Sequence, residues 1–320
     1  MRVEKDEYFK LQGRIKDIPF VLSREWHDMT SKGSEMAYYV SQTDDPRICC
    51  FGYVSNSRFR GKSLRIEGVS MEPDANITEL RTFYQSIVAE GYSYIKLSDI
   101  WKYNPIFEVG VRRAGFIRPI GLSLCPMSLE MDFSKEFQFH RKWRSHVRKS
   151  IGAGNTFYVV DNPTTEDAED FRRMFLEQKE RKNLGYCFSV EELKTLLNGN
   201  YKLFFVKNKE GKNVSGRIVY IYNKKSYDIT TANSYEGIST GAVYQLQQEM
   251  LEYMKTAGIQ IFDYGRIPPT ADYMDDIYIA KSYSGGLPIG YNGQWVYTKS
   301  MWKEYIQSLY LFIYRKIHIY

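Results

Sequence analysis

Residues 140–150 read HRKWRSHVRKS, in which five cations, Arg141, Lys142, Arg144, Arg148 and Lys149, gather round one tryptophan. Wound as a helix, Arg141, Arg144 and Arg148 fall at i, i+3 and i+7 and share one face. Trp143, Val147 and Ile151 then form an apolar stripe beside them. Guanidinium forks match phosphate oxygens, so a helix docked by such a stripe would hold a phosphate-rich partner. The same letters also describe a solvated amphipathic helix, and residue types alone leave both readings open. Asp263 is a second candidate. It lies at the carboxyl end of an expected parallel strand, IQIFDY (259–264), at the edge where α/β folds collect ligands, and it would orient a nearby cation, hydrogen-bond an amine, or cap the turn before Gly265.

Other chemistries lack their residue patterns. No Ser-His-Asp or Cys-His set is persuasively spaced, and there is no Walker loop or dinucleotide fingerprint, which sets aside phosphoryl-transfer and redox enzymes. Cys49, Cys50, Cys125 and Cys187 have neither metal nor redox spacing and read as reduced, buried thiols. The four histidines are scattered, so no metal is expected. No apolar run approaches the ~18 residues that span a bilayer, and MRVEKDEYFK lacks the apolar core of a signal peptide. A cytoplasmic protein is the expectation.

The elements that must position these residues follow from length and periodicity. At 320 residues the chain predicts two domains. The net charge of +6 is uneven: residues 1–134 carry 18 basic and 18 acidic side chains, and residues 135–320 carry 26 and 20. That mild, localised positive field suits an anionic ligand or partner. Strand-like runs at 36–41, 47–54 and 63–69 precede a helix at 77–91, with Leu80, Phe83, Tyr84 and Ile87 at three-to-four spacing and Gly91 as its stop. A strand at 92–97 and a short helix at 105–116 follow. The second half repeats this grammar, with a strand at 226–232, a helix at 241–258 and a strand at 259–264. Each strand–helix–strand unit predicts a right-handed parallel crossover. The domain boundary is placed at 134/135, giving domains 1–134 and 135–320. At the C-terminus, Trp302, Ile306, Leu309, Ile313 and Ile317 form one helical stripe, read as core packing across a domain, with a peripheral membrane contact as the alternative.

RKWRSHVRKSIGAGNTFYVV resembles the opening of the second domain of the Fem family, the FemABX-type transferases that add amino acids to peptidoglycan precursors. The resemblance continues in order through FRRMFLEQKERKNLGY (171–186), VSGRIVYIYNKKSYDITTANS (214–234), IFDYGRI (261–267) and YIAKSYSGG (278–286). In the first half GKSLRIEGV and Arg112 to Pro119 also fit. It spans roughly residues 45–300.

This resemblance implies an α/β (α+β) fold of two tandem GNAT-like acyltransferase domains with a cleft between them. It also implies transfer of an aminoacyl group from aminoacyl-tRNA to an amine of a nucleotide- or lipid-linked muropeptide, with no bound cofactor. The tRNA acceptor end would lie on the second domain, with Arg141, Arg144, Arg148 and Lys149 on its phosphates. Lys281 matches the family lysine that assists transfer, although Ala280 stands where an aromatic is usual. Asp263 would act with it. Arg181 matches an arginine that binds the precursor's phosphates. Tyr264 and Arg266 lie in the same motif as substrate-binding candidates, Arg266 standing where glycine is common. Lys32, six residues beyond Trp26, takes the place of a first-domain precursor-binding lysine. A monomer is expected, working in the cytoplasm or at the inner membrane surface. Two alternatives stay open. An acyl-CoA-dependent acetyltransferase of similar fold would need a cationic Gly-rich pyrophosphate loop; SYEGISTGA (234–242) keeps two glycines without the cation, and VSMEPDANI (69–77) is acidic. A non-catalytic tRNA-binding protein is the other.

Overall fold

The structure, a computed structural model, describes residues 1–119, 127–136, 139–267 and 276–318; Cys125 lies outside them. The chain divides into two compact units, Met1–Met127 together with Ile289–Tyr320, and Ser128–Pro288. The boundary thus falls seven residues before the expected one, and the C-terminal strand and helix join the first unit instead of the second.

In chain order the first unit contains β1 (Arg2–Val3), α1 (Lys5–Gln12), α2 (Arg24–Thr30), β2 (Glu35–Val40), β3 (Ile48–Ser57), β4 (Gly61–Ile66), β5 (Ser70–Met71), α3 (Ile77–Ala89), β6 (Tyr94–Lys102) and α4 (Pro105–Arg113). The expected parallel crossover is present: β4 pairs with β6 from Ser63↔Tyr94 to Ile66↔Leu97, with α3 between them in the chain. Leu80, Phe83, Tyr84 and Ile87 of α3 are buried in a core with Leu64, Ile66, Ile95 and Leu97. Each such side chain stabilises the unit by about 2 kcal/mol. A capping box starts the helix, Asn76 Oδ1 accepting from the Thr78 and Glu79 amides while the Glu79 carboxylate accepts from the Asn76 amide.

The second unit is built from β7 (Met127–Asp132), α5 (Arg141–Gly152), β8 (Thr156–Val160), α6 (Thr165–Lys182), α7 (Val190–Leu197), β9 (Tyr201–Lys207), β10 (Asn213–Tyr222), β11 (Lys225–Asn233), α8 (Tyr235–Thr240), α9 (Ala242–Thr256), β12 (Ile261–Arg266) and α10 (Asp276–Tyr283). Its strands run β7-β12-β11-β10-β9-β8, and β11 and β12 are the parallel pair. Leu246, Met250 and Met254 of α9 pack on Phe204, Val219 and Phe262 of the sheet. The chain then returns to the first unit through β13 (Leu287–Thr298), which pairs antiparallel with β6, and ends in α11 (Met301–His318).

Candidate functional site

The second unit opens where its two parallel strands part. β11 and β12 pair only from Lys225↔Ile261 to Tyr227↔Asp263. Beyond that point β11 carries a bulge against β10, between the pairs Val219↔Asp228 and Ile218↔Thr230. β12 carries one against β7, between Asp263 and Arg266. Diverging strands with extra residues leave backbone groups that the ladder cannot pair, so side chains must satisfy them.

Asp263 and Lys281 do this for β12. Asp263 is buried, and its Oδ1 accepts from Ser128 Oγ at 2.6 Å and from the Gly265 amide at 2.8 Å. Gly265 has φ +72°, the left-handed geometry that this tight turn requires. Asp263 thus ties the start of β7 to the turn before Gly265. Lys281 sits in the last turn of α10. Its Nζ donates to the carbonyls of Tyr264 (2.6 Å), Gly265 (3.3 Å) and Arg266 (3.2 Å). One ammonium therefore gathers three carbonyls at the strand's end and sets a positive charge there.

Tyr264 is not at the surface. It is 2% exposed in the core under α9, with its hydroxyl accepting from Ser284 Oγ at 2.8 Å, and burial pushes its pKa up. Its side chain is a packing element, which corrects its assignment to substrate binding. Arg266 projects an exposed side chain from β12. Arg181, in the last turn of α6, reaches the carbonyl of Asn233 at 3.5 Å and lies 5.4 Å from the ring centre of Tyr235, beside the exit of β11. Gln178, one turn earlier, donates to the Thr231 carbonyl at 2.9 Å. The two side chains hold the carboxyl end of β11 on the α6 side. Lys32 is exposed in the first unit, just after α2.

Two further residues at this edge escaped the sequence reading. Arg217 on β10 and Asp228 on β11 are 12% and 11% exposed, with Nε and Oδ1 3.5 Å apart. Arg217 Nε and Nη1 and Asp228 Oδ1 have no hydrogen-bond partner. Buried guanidinium donors without acceptors are costly and uncommon, and they mark a place prepared for an anionic or carbonyl oxygen. The signal was present in the sequence as a charge inside the apolar run GRIVYI.

The basic segment folds as expected into α5, with one change of face. Trp143, Val147 and Ser150 are inward, and Ile151 is 55% exposed. The stripe turns because the far end of α5 docks through polar contacts: Ser150 Oγ donates to Gln245 Oε1 at 2.6 Å, and Asn155 Nδ2 to Ser150 Oγ at 2.9 Å. Aromatic contacts fix the middle, Trp143 meeting Tyr244 edge-on at 4.8 Å and His146 stacking on Tyr244 at 4.3 Å. The N-cap, His140, stacks on Tyr283 of α10 at 4.2 Å, and its amide donates to the Tyr283 carbonyl. At the other end Lys149 Nζ donates to the Ser239 carbonyl of α8 at 2.6 Å. So α5 runs from the helix that carries Lys281 to the turn that opens α9, with Arg141, Arg144 and Arg148 exposed along it.

That placement also decides the space at the start of α9. Segment 235–240 is itself helical, and Gly241 (φ +85°) lies so close to α5 that a Cβ there would be 2.6 Å from the His146 carbonyl oxygen. In the first unit the matching position, the start of α3, is filled by Glu79 and Asp74, which Arg47 bridges at 2.6 and 2.9 Å. Among the described residues no group of three or more His, Cys, Asp or Glu side chains is placed to hold a metal ion.

Comparison with known proteins adds the fold. No family model matches the chain, and no curated protein matches it. Solved structures do. FemX superposes with a TM-score of 0.74 at 14% identity, over 93% of this chain and 96% of its own. L-PGS from Bacillus licheniformis gives 0.64 at 14% identity, over 93% of both chains. A tandem GNAT protein from the clavulanic acid biosynthesis pathway gives 0.53 at 8%, over 92% of this chain and 97% of its own. The expected FemX-type tandem GNAT-like fold is therefore the fold of this chain.

Proposed function

We propose that this protein transfers an aminoacyl group from aminoacyl-tRNA to an amine of a nucleotide- or lipid-linked muropeptide. The observation that carries the reading is α5. Its three arginines stand exposed on a helix pinned at one end to α10, beside Lys281, and at the other to the α8–α9 corner. A ridge of guanidiniums leading to a site of acyl transfer suits a polyanion whose reactive group is at its end, because phosphate contacts add affinity and set register without reading bases.

In the reaction the acceptor amine attacks the ester carbonyl of the aminoacyl-tRNA. The new C–N bond forms, the bond from the carbonyl carbon to the ribose oxygen breaks, and the amine's proton is balanced by the one the ribose hydroxyl takes up. No described side chain at the β11–β12 edge is assigned the role of general base, so positioning and charge supply the rate. Arg217, with unspent donors, is assigned the carbonyl oxygen as it becomes negative. Lys281 keeps the carbonyls of residues 264–266 turned inward and adds its charge to the same edge. Arg181, beside the exit of β11, is assigned the precursor's phosphates.

The crowded start of α9 and the carboxylates at the start of α3 favour this donor over acyl-CoA. α5 crowds the start of α9, where a Cβ on Gly241 would lie 2.6 Å from the His146 carbonyl oxygen, and at the start of α3 Asn76 Oδ1 already takes the Thr78 and Glu79 amides that would meet a pyrophosphate. The test is titration with tRNA and with acetyl-CoA near physiological salt, followed by transfer of a labelled amino acid from charged tRNA to muropeptide acceptors. Saturable tRNA binding that weakens in Arg144→Ala/Arg148→Ala, with transfer lost in Arg217→Met and Lys281→Ala, is expected. Acetyl-CoA binding with indifference to tRNA would move the protein to the acyl-CoA class. Binding of tRNA with no transfer to any acceptor would make it a non-catalytic RNA-binding protein.

A further inference from the structure

Among its described side chains, helix α11 of the first unit turns apolar residues outward and polar ones inward. The core packing expected of its stripe is not what the structure shows. Trp302, Tyr305, Ile306, Leu309, Tyr310 and Ile313 are 43–62% exposed, whereas Glu304 and Ser308 on the opposite side are buried; the side chain of Ile317 lies outside the described ones. A helix docked on its own domain places apolar residues inward and polar ones outward. Here Glu304 is turned inward to Arg60, 3.5 Å away, while Trp302, Ile306, Leu309 and Ile313 are exposed. An exposed apolar patch of six large side chains on one helix face marks a binding surface.

At the foot of this helix lies a cavity of about 230 Å³ between the β3–β4 hairpin tip and the turn into α11, lined by Arg58, Arg60, Lys299 and Lys303 against the single carboxylate of Glu304. Contacts hold most of the cations in place. The Arg60 guanidinium lies 3.4 Å from the ring centre of Tyr94, Lys303 Nζ donates to the Phe59 carbonyl at 2.7 Å, and Lys299 Nζ donates to the Gly91 carbonyl at 3.3 Å. Phe59, at the hairpin tip, is 44% exposed beside them.

We propose that the outer face of α11 lies on a membrane surface and that the basic cavity at its foot takes the phosphate of an anionic lipid headgroup. A partner that is apolar beyond and anionic at its rim has the layering of a leaflet: tryptophan, tyrosine and leucine enter the headgroup–acyl boundary while lysine and arginine meet the phosphates. No described helix is long and apolar enough to cross a membrane, so this is contact in the interfacial plane. The inference is independent of the donor proposed above, because its residues and its assay share nothing with tRNA binding or transfer.

The experiment is flotation of the full chain with vesicles of phosphatidylcholine alone and with about one third phosphatidylglycerol, alongside light scattering to give its mass in solution. Binding to the anionic vesicles is expected. It should fall at least tenfold in Trp302→Ala/Leu309→Ala and in Lys299→Glu/Lys303→Glu, and stay unchanged in the charge-matched control Lys209→Glu/Lys212→Glu, two exposed lysines of the second unit. All six substituted side chains are at least partly exposed, and a thermal melt of each variant confirms folding. Loss of binding in the control too would mean non-specific adsorption and overturn the proposal. So would failure of the wild type to float, or a dimer that Trp302→Ala/Leu309→Ala dissociates, which would make the face a self-interface.

Discussion

The arginine ridge on α5 makes a prediction with a magnitude. Arg141 and Arg148 are seven residues apart, and at 1.5 Å per residue the ridge extends about 10 Å, enough for two or three phosphates of an acceptor stem. Lys149 is held by the Ser239 carbonyl, so the free contacts are those of Arg141, Arg144 and Arg148. Each phosphate neutralised on a duplex contributes about −0.9 to the slope of log K against log salt concentration. Arg144→Ala/Arg148→Ala should therefore flatten that slope by about 1.8. Between 50 and 200 mM salt the wild type should lose roughly twelvefold more affinity than the variant does, from the same relation. Fluorescence anisotropy with labelled tRNA over this salt range measures both lines. Parallel lines, with the variant merely displaced, would falsify the phosphate-ridge reading and return α5 to a solvated surface helix.

Further outcomes follow from single contacts. Asp99 on β6 is 2% exposed; it accepts from Asn292 Nδ2 at 2.7 Å, and burial pushes its carboxyl up to about 7. The unfolded chain gives up this proton near pH 4 and the folded one holds it, so the contribution of Asp99 to stability falls as pH rises from about 4 to 7 and is level above, by at most about 4 kcal/mol. Urea midpoints of wild type and Asp99→Asn should diverge in the variant's favour across that window, and a constant difference refutes the assignment. Lys281→Met should cost about 2 kcal/mol by freeing the carbonyls of 264–266, seen as a lower denaturation midpoint together with lost transfer. Gly241→Ala should cost about 2 kcal/mol or more, because it forces a side chain into left-handed geometry against the His146 carbonyl; calorimetry reads it, and weakened tRNA binding should accompany it as α5 shifts. Cys49 and Cys50 are buried, with the Cys49 thiol raised to about 12, so alkylation at pH 8 should leave both unmodified in the folded protein and reach them only in denaturant. Peptide mapping decides this.

The crossover helices α3 and α9 were legible because a three-to-four apolar spacing, closed by glycine, is a local pattern that burial enforces. The segment 141–152 was legible as a helix for the same reason. Its inward face was misread by one residue, Ile151 for Ser150, because the partner surface offered by Gln245 and Asn155 is polar and lies far away in sequence. Tyr264 read as a site residue because it neighbours Asp263, yet alternation along a strand sends successive side chains to opposite faces. Arg217 and Asp228 matter through what they lack, and unmet hydrogen bonds are invisible until the elements around them are placed. The stripe on α11 was seen correctly as a stripe. What it faces is a property of the packed unit, which the helix alone does not encode.

The insertion of Ser128–Pro288 into the first unit has a consequence for biogenesis. Without β13, strand β6 keeps β4 on one side and exposes a row of unpaired amides and carbonyls on the other. The ribosome must finish the whole second unit before Tyr291–Thr298 can close that edge. The first residues made are thus among the last to complete their fold, and until then the nascent chain carries an open strand that invites pairing with other chains. A chain truncated after Pro288 should therefore pellet where the full chain stays in solution, and a truncated chain that stays monomeric refutes this.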